Sequence, residues 1–144
     1  MNKKKKILIT GSSGFIGFSL ALNLLKKGHK IFGYDSINDY YDINLKLSRN
    51  KILKKFKNFS FIRGALEDQK KLNKSVLKFK PQIIIHLAAQ AGVRYSLDFP
   101  RKYLSSNIIG TYNVIEIAHK IKVKHLLIAS SSSVYGANKQ SVFK

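Results

Sequence analysis

The 144 residues include no cysteine and no tryptophan, only two prolines and only seven acidic side chains. Without cysteine the chain forms no disulfide and offers no thiolate to a metal, and nothing in it points to an oxidising compartment. The four histidines (His29, His86, His119 and His125) show no metal-ligand spacing, so no metal site is expected; His86 and His125 fall at strand ends, where a structural role is expected. No apolar run approaches the roughly 18 residues that a membrane span needs, so no membrane partner is expected. Lys3 to Lys6 followed by apolar residues imitates a secretory signal, but Gly11, Gly14 and Gly17 interrupt the apolar stretch and no small-residue cleavage site follows. The expected location is therefore cytoplasmic, with the lysines forming a solvated tail.

Positive charge is abundant. Lysine and arginine number 27 against the seven acids, a formal net charge of +20. Only Arg49, Arg63, Arg94 and Arg101 are arginines. Such a field attracts polyanions and favours salt-sensitive, non-specific nucleic-acid binding. Sequence-specific readers lean on arginine and a recognisable docking element, and neither is found. The lysines are spread over several helices, and in a chain also rich in Ile and Asn they read equally as compositional bias. Polyanion binding stays a minor alternative, and no specific nucleic-acid partner is expected.

The length suits one domain with a real core. Strand-like and helix-like blocks alternate: strands at about 6–10, 30–34, 59–63, 82–87 and 124–130, helices at about 15–27, 43–56, 67–79 and 99–121. Ile83-Ile84-Ile85 and Leu126-Leu127-Ile128 are continuously apolar, as parallel strands covered on both faces must be. Leu66 to Phe79 and Tyr103 to Ile121 show helical apolar spacing with lysines opposite. Pro81 separates a helix from a strand, and Pro100 suits a first helical turn. This predicts an α/β fold: a Rossmann-type doubly wound parallel sheet of about five strands.

The most informative stretch is Ile7 to Gly17. A β-branched run stops at Thr10, and Gly11, Gly14 and Gly17 follow with G-x-x-G-x-x-G spacing before an apolar helix. Strand, glycine turn and helix in that order cradle a dinucleotide phosphate. The first glycine makes the turn, the second admits the pyrophosphate, the third lets helix and strand pack closely, and the helix N-terminus presents N–H groups. The second strand ends at Asp35, 18 positions after Gly17, near the spacing of a ribose-binding carboxylate. Such a carboxylate accepts from both ribose hydroxyls and repels a 2′-phosphate, favouring NAD over NADP. The plainer reading, a solvated loop acid near Asp39 and Asp42, stands beside it.

Three further segments fall at the C-terminal ends of strands, where such sheets bind ligands. They are Arg63 to Asp68; His86 to Ser96, whose small residues admit a flat cofactor and whose Arg94 suits phosphate or carboxylate; and Ala129 to Gly136, with four serines. Arg94 reads alternatively as one exposed cation among many, and the serines as a polar turn.

With these motifs the chain resembles the N-terminal half of the extended short-chain dehydrogenase/reductase family, the NAD-dependent epimerases and dehydratases of nucleotide sugars. Thr10 to Gly17 matches T-G-x-x-G-F-I-G. Asp35 to Asp42 with Asn44-Leu45-Lys46, His86 to Ser96, and Ala129 to Gly136 are most similar to UDP-glucuronate 4-epimerases. The resemblance implies NAD as cofactor and a UDP-sugar as substrate. It implies cofactor contacts from Gly11, Gly14, Phe15, Ile16, Gly17, Asp35, Ser36, Leu66, Leu87, Ala88, Ala89 and Ser106. It makes Ser131 the catalytic hydroxyl that hydrogen-bonds the sugar 4-hydroxyl, and Arg94, Ser96, Ser132 and Ser133 substrate contacts. Asn107 and Gly110 match an N-x-x-G expected to be structural, and pairing into a homodimer is expected through the 99–121 helix.

Two departures stand out. The family usually has Asp where Ala65 stands, accepting from the adenine amino group, and losing that bond is expected to weaken NAD binding by about 1–3 kcal/mol. The family's catalytic base, the Tyr of a Tyr-x-x-x-Lys segment, is expected just over 20 residues beyond Ser131. That segment and the C-terminal substrate domain are thus expected to be absent from residues 1–144, and Tyr135, part of the V-Y-G signature, is no replacement. The expectation is an NAD-binding portion of a nucleotide-sugar 4-epimerase, inactive as it stands, with a non-catalytic NAD-binding module as the alternative.

Overall fold

A computed structural model describes residues 3–136, with Ser132 and Ser133 described by their backbone alone. Five strands, β1 (Lys6–Thr10), β2 (Lys30–Asp35), β3 (Phe59–Arg63), β4 (Ile83–His86) and β5 (His125–Ile128), form one parallel sheet in the order β3-β2-β1-β4-β5. Chain order reverses at β1, the switch point at which such sheets open a crevice. The expected fold class and all five expected strands are therefore present. β5 is shorter than the expected 124–130.

Alternate side chains of the central strands enter two separate cores, because successive residues point to opposite faces. Leu8, Phe32, Tyr34 and Ile84 pack with Leu72, Val76, Val114 and Ile117 on one face. Ile7, Ile9 and Ile31 pack with Ala21, Leu25 and Leu53 on the other. Helix α1 (Phe15–Lys26) buries Gly17, Ala21 and Leu25, a stripe of spacing four. Helix α2 (Ile43–Leu53) starts at Asp42, whose side chain accepts from the Asn44 N–H. Helix α3 (Gln69–Phe79) starts at Asp68, whose carboxylate accepts from the Lys71 N–H, two residues later than expected because the acid caps the first turn. It ends on Lys80 in the left-handed region, directly before Pro81.

The expected 99–121 helix differs. A short α4 (Val93–Asp98), in a stretch not expected to be helical, precedes α5 (Pro100–Tyr103), a π-helical segment (Leu104–Ile109) and α6 (Gly110–Lys120). Pro100 opens α5, as expected. The π segment gives way to α6 at a close packing point. A Cβ on Gly110 would lie 2.8 Å from the Leu66 Cβ, so the helix crosses the β3–α3 loop without a side chain between them. No helix among the described residues is long and apolar enough to cross a membrane.

Candidate functional site

The glycine turn sits at the switch point. Gly11 has φ +70, open to glycine at little cost, and a Cβ there would stand 2.8 Å from the Ala88 backbone nitrogen. Gly17 packs against the turn itself, where a Cβ would meet the Gly11 carbonyl oxygen at 2.1 Å. These contacts make the first glycine the hinge and the third the close-packing residue. A Cβ on Gly14 would press on the Gly11 carbonyl oxygen at 3.1 Å, with the Tyr41 hydroxyl next at 3.9 Å, so a side chain there would crowd the turn where it borders both clefts.

Asp35 ends β2 beside this turn and is buried. One carboxylate oxygen accepts from the Ser13 N–H at 2.9 Å and the other from the Ile37 N–H at 2.8 Å. Each oxygen keeps a further lone pair. The solvated-loop reading of Asp35 does not hold. Its carboxylate is fixed by two backbone donors at the edge of the cleft.

That cleft, about 450 Å³, is lined by Gly11, Gly14, Asp35, Ser36, Leu66, Leu87, Ala88, Ala89 and Ser106 among the expected cofactor residues. A second cleft, lined by Phe15, Ile16, Gly17, Arg49 and Ala129, shares Gly11, Gly14, Tyr41 and Leu87 with the first. The twelve expected cofactor positions therefore converge on the glycine turn. Ser36 offers its carbonyl to the Arg63 side chain at 3.0 Å, which holds the loop after β2 against β3.

The floor after β4 is built on His86. Thr10 Oγ1 accepts from the Leu87 and Ala88 N–H groups at 3.1 and 3.2 Å, so its own proton points to His86 Nδ1, 2.7 Å away. Nε2–H then donates to Thr111 Oγ1 at 3.0 Å. Burial pushes the imidazole down to about 4, so it is neutral at physiological pH. The structural role expected of His86 is borne out. Asn107, on the π segment, clamps the same floor further along, with Oδ1 accepting from the Gln90 N–H at 2.7 Å and Nδ2 donating to the Gln90 carbonyl at 2.9 Å. Leu66 borders the cleft and is anchored through its carbonyl by Asn113 Nδ2 at 2.9 Å.

Ala65 presents only a methyl group to the cleft, while its carbonyl accepts from the Tyr34 hydroxyl at 3.1 Å. Burial, and the charges of Asp68 and Glu67, push the Tyr34 phenol up to about 12. Glu67 is the one carboxylate of this loop that lines the cleft.

Several lining residues escaped sequence reasoning. Lys102 and Ser105 precede Ser106 by four and one positions, a helical spacing that would have placed all three together. Lys46 is buried, donates from Nζ to the Asn38 carbonyl at 2.9 Å, and lies 4.3 Å from the Tyr41 ring centroid. Burial lowers its pKa, against the pull of Asp35 and Asp39. Arg49 reaches the Ser13 carbonyl at 3.4 Å and the Tyr41 hydroxyl at 3.3 Å. The Tyr40 and Tyr95 rings, 4.9 Å apart, join the loop after β2 to α4.

The expected substrate residues are placed differently. Arg94 lies exposed on α4, and Ser96 bonds back to the Val93 carbonyl; neither lines a cleft. Ser131 follows β5 at the exposed end of the sheet, and the side chains of Ser132 and Ser133 lie outside the described residues. Lys139 stands four positions after Tyr135, so a Tyr-x-x-x-Lys spacing does occur within the sequence; Lys139 lies outside the described residues. Tyr135 is only four residues from Ser131, in a 3₁₀ turn, which is far from the separation of just over 20 that the resemblance implies. No group of three or more metal-ligating side chains occurs among the described residues.

This arrangement is matched elsewhere. The GDP-mannose 4,6-dehydratase family profile fits residues 8–144. The chain belongs to that family. It is an extended short-chain epimerase/dehydratase, matched over the N-terminal part. Family relatives include a probable UDP-glucuronate 4-epimerase of Rhizobium meliloti, 46% identical over 138 residues, 96% of this chain and 40% of the relative. Protein CapI of Staphylococcus aureus is 49% identical over 138 residues, 96% and 41% of the two chains. Among solved structures, the Bordetella bronchiseptica enzyme WbmG, in complex with NAD and UDP, superposes with TM-score 0.82 at 27% identity over 97% of this chain and 42% of that one. The chain thus spans about 40% of the length of the curated relatives it matches.

Proposed function

We propose that residues 1–144 form the NAD-binding portion of a nucleotide-sugar 4-epimerase of the UDP-glucuronate kind. The observation that carries this reading is Asp35, a buried carboxylate fixed by two backbone N–H groups with lone pairs to spare, beside a glycine turn whose Gly11 and Gly14 line the cleft. Those residues fit an adenosine ribose and a pyrophosphate. Asp35 would take the ribose hydroxyls and exclude a 2′-phosphate. The amides of Phe15 and Ile16, in the first turn of α1, would take the pyrophosphate. Bound NAD supplies the acceptor and donor of the sugar C4 hydride. That the relatives include a probable UDP-glucuronate 4-epimerase, and the structural neighbours an enzyme solved with NAD and UDP, supports both ligands.

In this reading Ser131 orients the sugar 4-hydroxyl, with Arg94, Ser96, Ser132 and Ser133 toward the sugar. A serine hydroxyl stays protonated near neutral pH, so Ser131 orients and does not serve as the base. The base belongs to a Tyr-x-x-x-Lys segment further along the fold, and residues 1–144 alone bind cofactor without turnover. Ala65 leaves the adenine amino group one acceptor short. Two copies pair through α5 to α6, where Leu104, Ile108, Tyr112 and Ile115 form an exposed apolar stripe of helical spacing. The absence of cysteine supports a cytoplasmic location.

The test is a calorimetric titration of residues 1–144 with NAD, alongside Asp35→Ala and an assay with UDP-glucuronate. Binding lost on Asp35→Ala, with no C4 epimerisation, is the expected result. Equal binding by the mutant refutes the ribose role. Epimerisation above a no-enzyme control places a base within this chain, and Tyr135→Phe would then show whether Tyr135 is that base.

A further inference from the structure

The charge, scattered in the sequence, is sorted by the fold. In a parallel sheet every strand starts at one end and every connecting helix finishes there. Here each strand is entered through lysine: Lys4 to Lys6 at β1, Lys30 at β2, Lys57 at β3, Lys80 at β4 and Lys124 at β5. Backbone bonds hold these entries side by side, from the Lys30 N–H to the Lys5 carbonyl at 2.9 Å, from the Gln82 N–H to the Lys6 carbonyl at 2.8 Å, and from the Lys124 N–H to the Gln82 carbonyl at 3.0 Å. Apart from Lys6, which is half-buried, these lysines are exposed, as are Lys26, Lys55, Lys78 and Lys120 on the helix ends between them.

The acids are at the other end. Asp35 ends β2, Asp39 and Asp42 precede α2, Glu67 and Asp68 precede α3, and Asp98 lies in the segment after β4. Glu116, the last of the seven, is bonded to Gln69 at the start of α3. Compositional bias accounts for the lysines that also occur at the cleft end, such as Lys46, Lys70, Lys71 and Lys102, but it would not clear the basal end of carboxylates. Compensation of helix dipoles accounts for Lys26, Lys78 and Lys120 in last turns, but not for the lysines on the strand entries.

We propose that this basal face docks on an anionic lipid surface. The face is broad, spanning five strands spaced about 4.8 Å apart and the helix ends on both sides. Both clefts described above lie at the opposite end. None of the four arginines stands on it: Arg49 and Arg63 bond around the cleft, and Arg94 and Arg101 follow β4. The strongly exposed aromatic rings (Phe15, Tyr40, Tyr41, Phe99, Tyr112 and Tyr135) also lie elsewhere. Nucleic-acid binders combine a cationic groove with arginine forks or stacking rings. A face of lysine point charges on flexible stems matches the headgroup layer of a bilayer rich in acidic lipid. Docked this way, the cleft points away from the membrane into water. The expectation of no membrane partner rested on the lack of a spanning apolar run, which does not bear on a charged face that the fold assembles from separate strand entries.

The test is co-sedimentation of the chain with phosphatidylcholine vesicles with and without about a third phosphatidylserine. Binding is expected only with the acidic lipid, and it should fall as salt rises from about 0.1 to 0.5 M. The variant Lys26→Glu, Lys78→Glu, Lys124→Glu should lose at least tenfold in partitioning. The variant Lys70→Glu, Lys71→Glu, Lys74→Glu has the same net charge and should lose less than twofold. Equal loss in both variants would reduce the effect to net charge and overturn the proposal, as would no preference for acidic lipid in the unaltered chain. Release from vesicles by a short DNA duplex at equal phosphate concentration would make nucleic acid the partner instead. The vesicle and duplex measurements use the unaltered chain, so they stand even if a variant misfolds, and none depends on NAD binding.

Discussion

At the scale of single residues, His86 shows how a buried group shapes a ligand site it need not touch. Its neutral form relays a hydrogen bond from Thr10, which in turn holds the Leu87 and Ala88 amides, to Thr111 on α6. Protonating Nδ1 would set an N–H against a hydroxyl whose lone pairs are already filled. The unfolded imidazole titrates near 6.5 and the folded one at about 4. The folded state therefore resists protonation, and this contribution to stability is complete above pH 6.5 and is lost as pH falls toward 4. Thermal melts from pH 7 to pH 5 should show a steady drop in Tm, and a His86→Asn variant should show a flatter profile across that window. A wild-type Tm that stays level between pH 6.5 and 5 would count against the relay. The sequence placed His86 at a strand end with a structural role, but its partners lie 76 and 25 positions away, and no local pattern announces them.

At the scale of elements, the π segment is the informative departure. It brings Ser105 and Ser106 to the cleft and turns Asn107 onto the backbone of Gln90. π-helical turns are rare and gather at functional sites. Asn107→Ala removes both bonds and leaves the Gln90 N–H without its acceptor, which should cost about 1–3 kcal/mol in denaturant unfolding. Asn107→Asp keeps the acceptor and loses the donor, so its cost should fall between zero and that of alanine. Strands and most helices were legible because apolar runs and caps are local signals: Thr10 before the glycines, Asp35 at the end of β2, and Pro100 at a first turn. The π segment was not legible, since its contacts are tertiary: Asn107 on the Gln90 backbone, and the close crossing of Gly110 over Leu66 just beyond it. Helix α4 was missed for a related reason. Its buried-face pattern is absent, and Tyr95 is held instead by rings from Tyr40 and Phe99.

At the scale of the whole molecule, the alternation of blocks was enough to give the sheet, its strand count and its binding end. What the sequence could not show is which side chains the fold gathers at an edge. The lysines at the strand entries are such a case. The apolar stripe of the π segment and α6 falls instead within the 99–121 stretch through which pairing was expected. Its pairing with a second copy should appear as a concentration-dependent dimer in sedimentation, and Ile108→Lys should shift it to monomer, since a buried unpaired ammonium is costly at an apolar contact. A wild-type chain that stays monomeric at high micromolar concentration would remove that reading. The sorting of charge has a kinetic side as well. With carboxylates at one pole and lysines at the other, the molecule has a permanent electric dipole along its strands. A charged surface exerts a torque on such a dipole over distances of order a Debye length, before any atoms meet. The chain would thus reach a negative surface already turned, with its lysine pole leading and the glycine turn trailing.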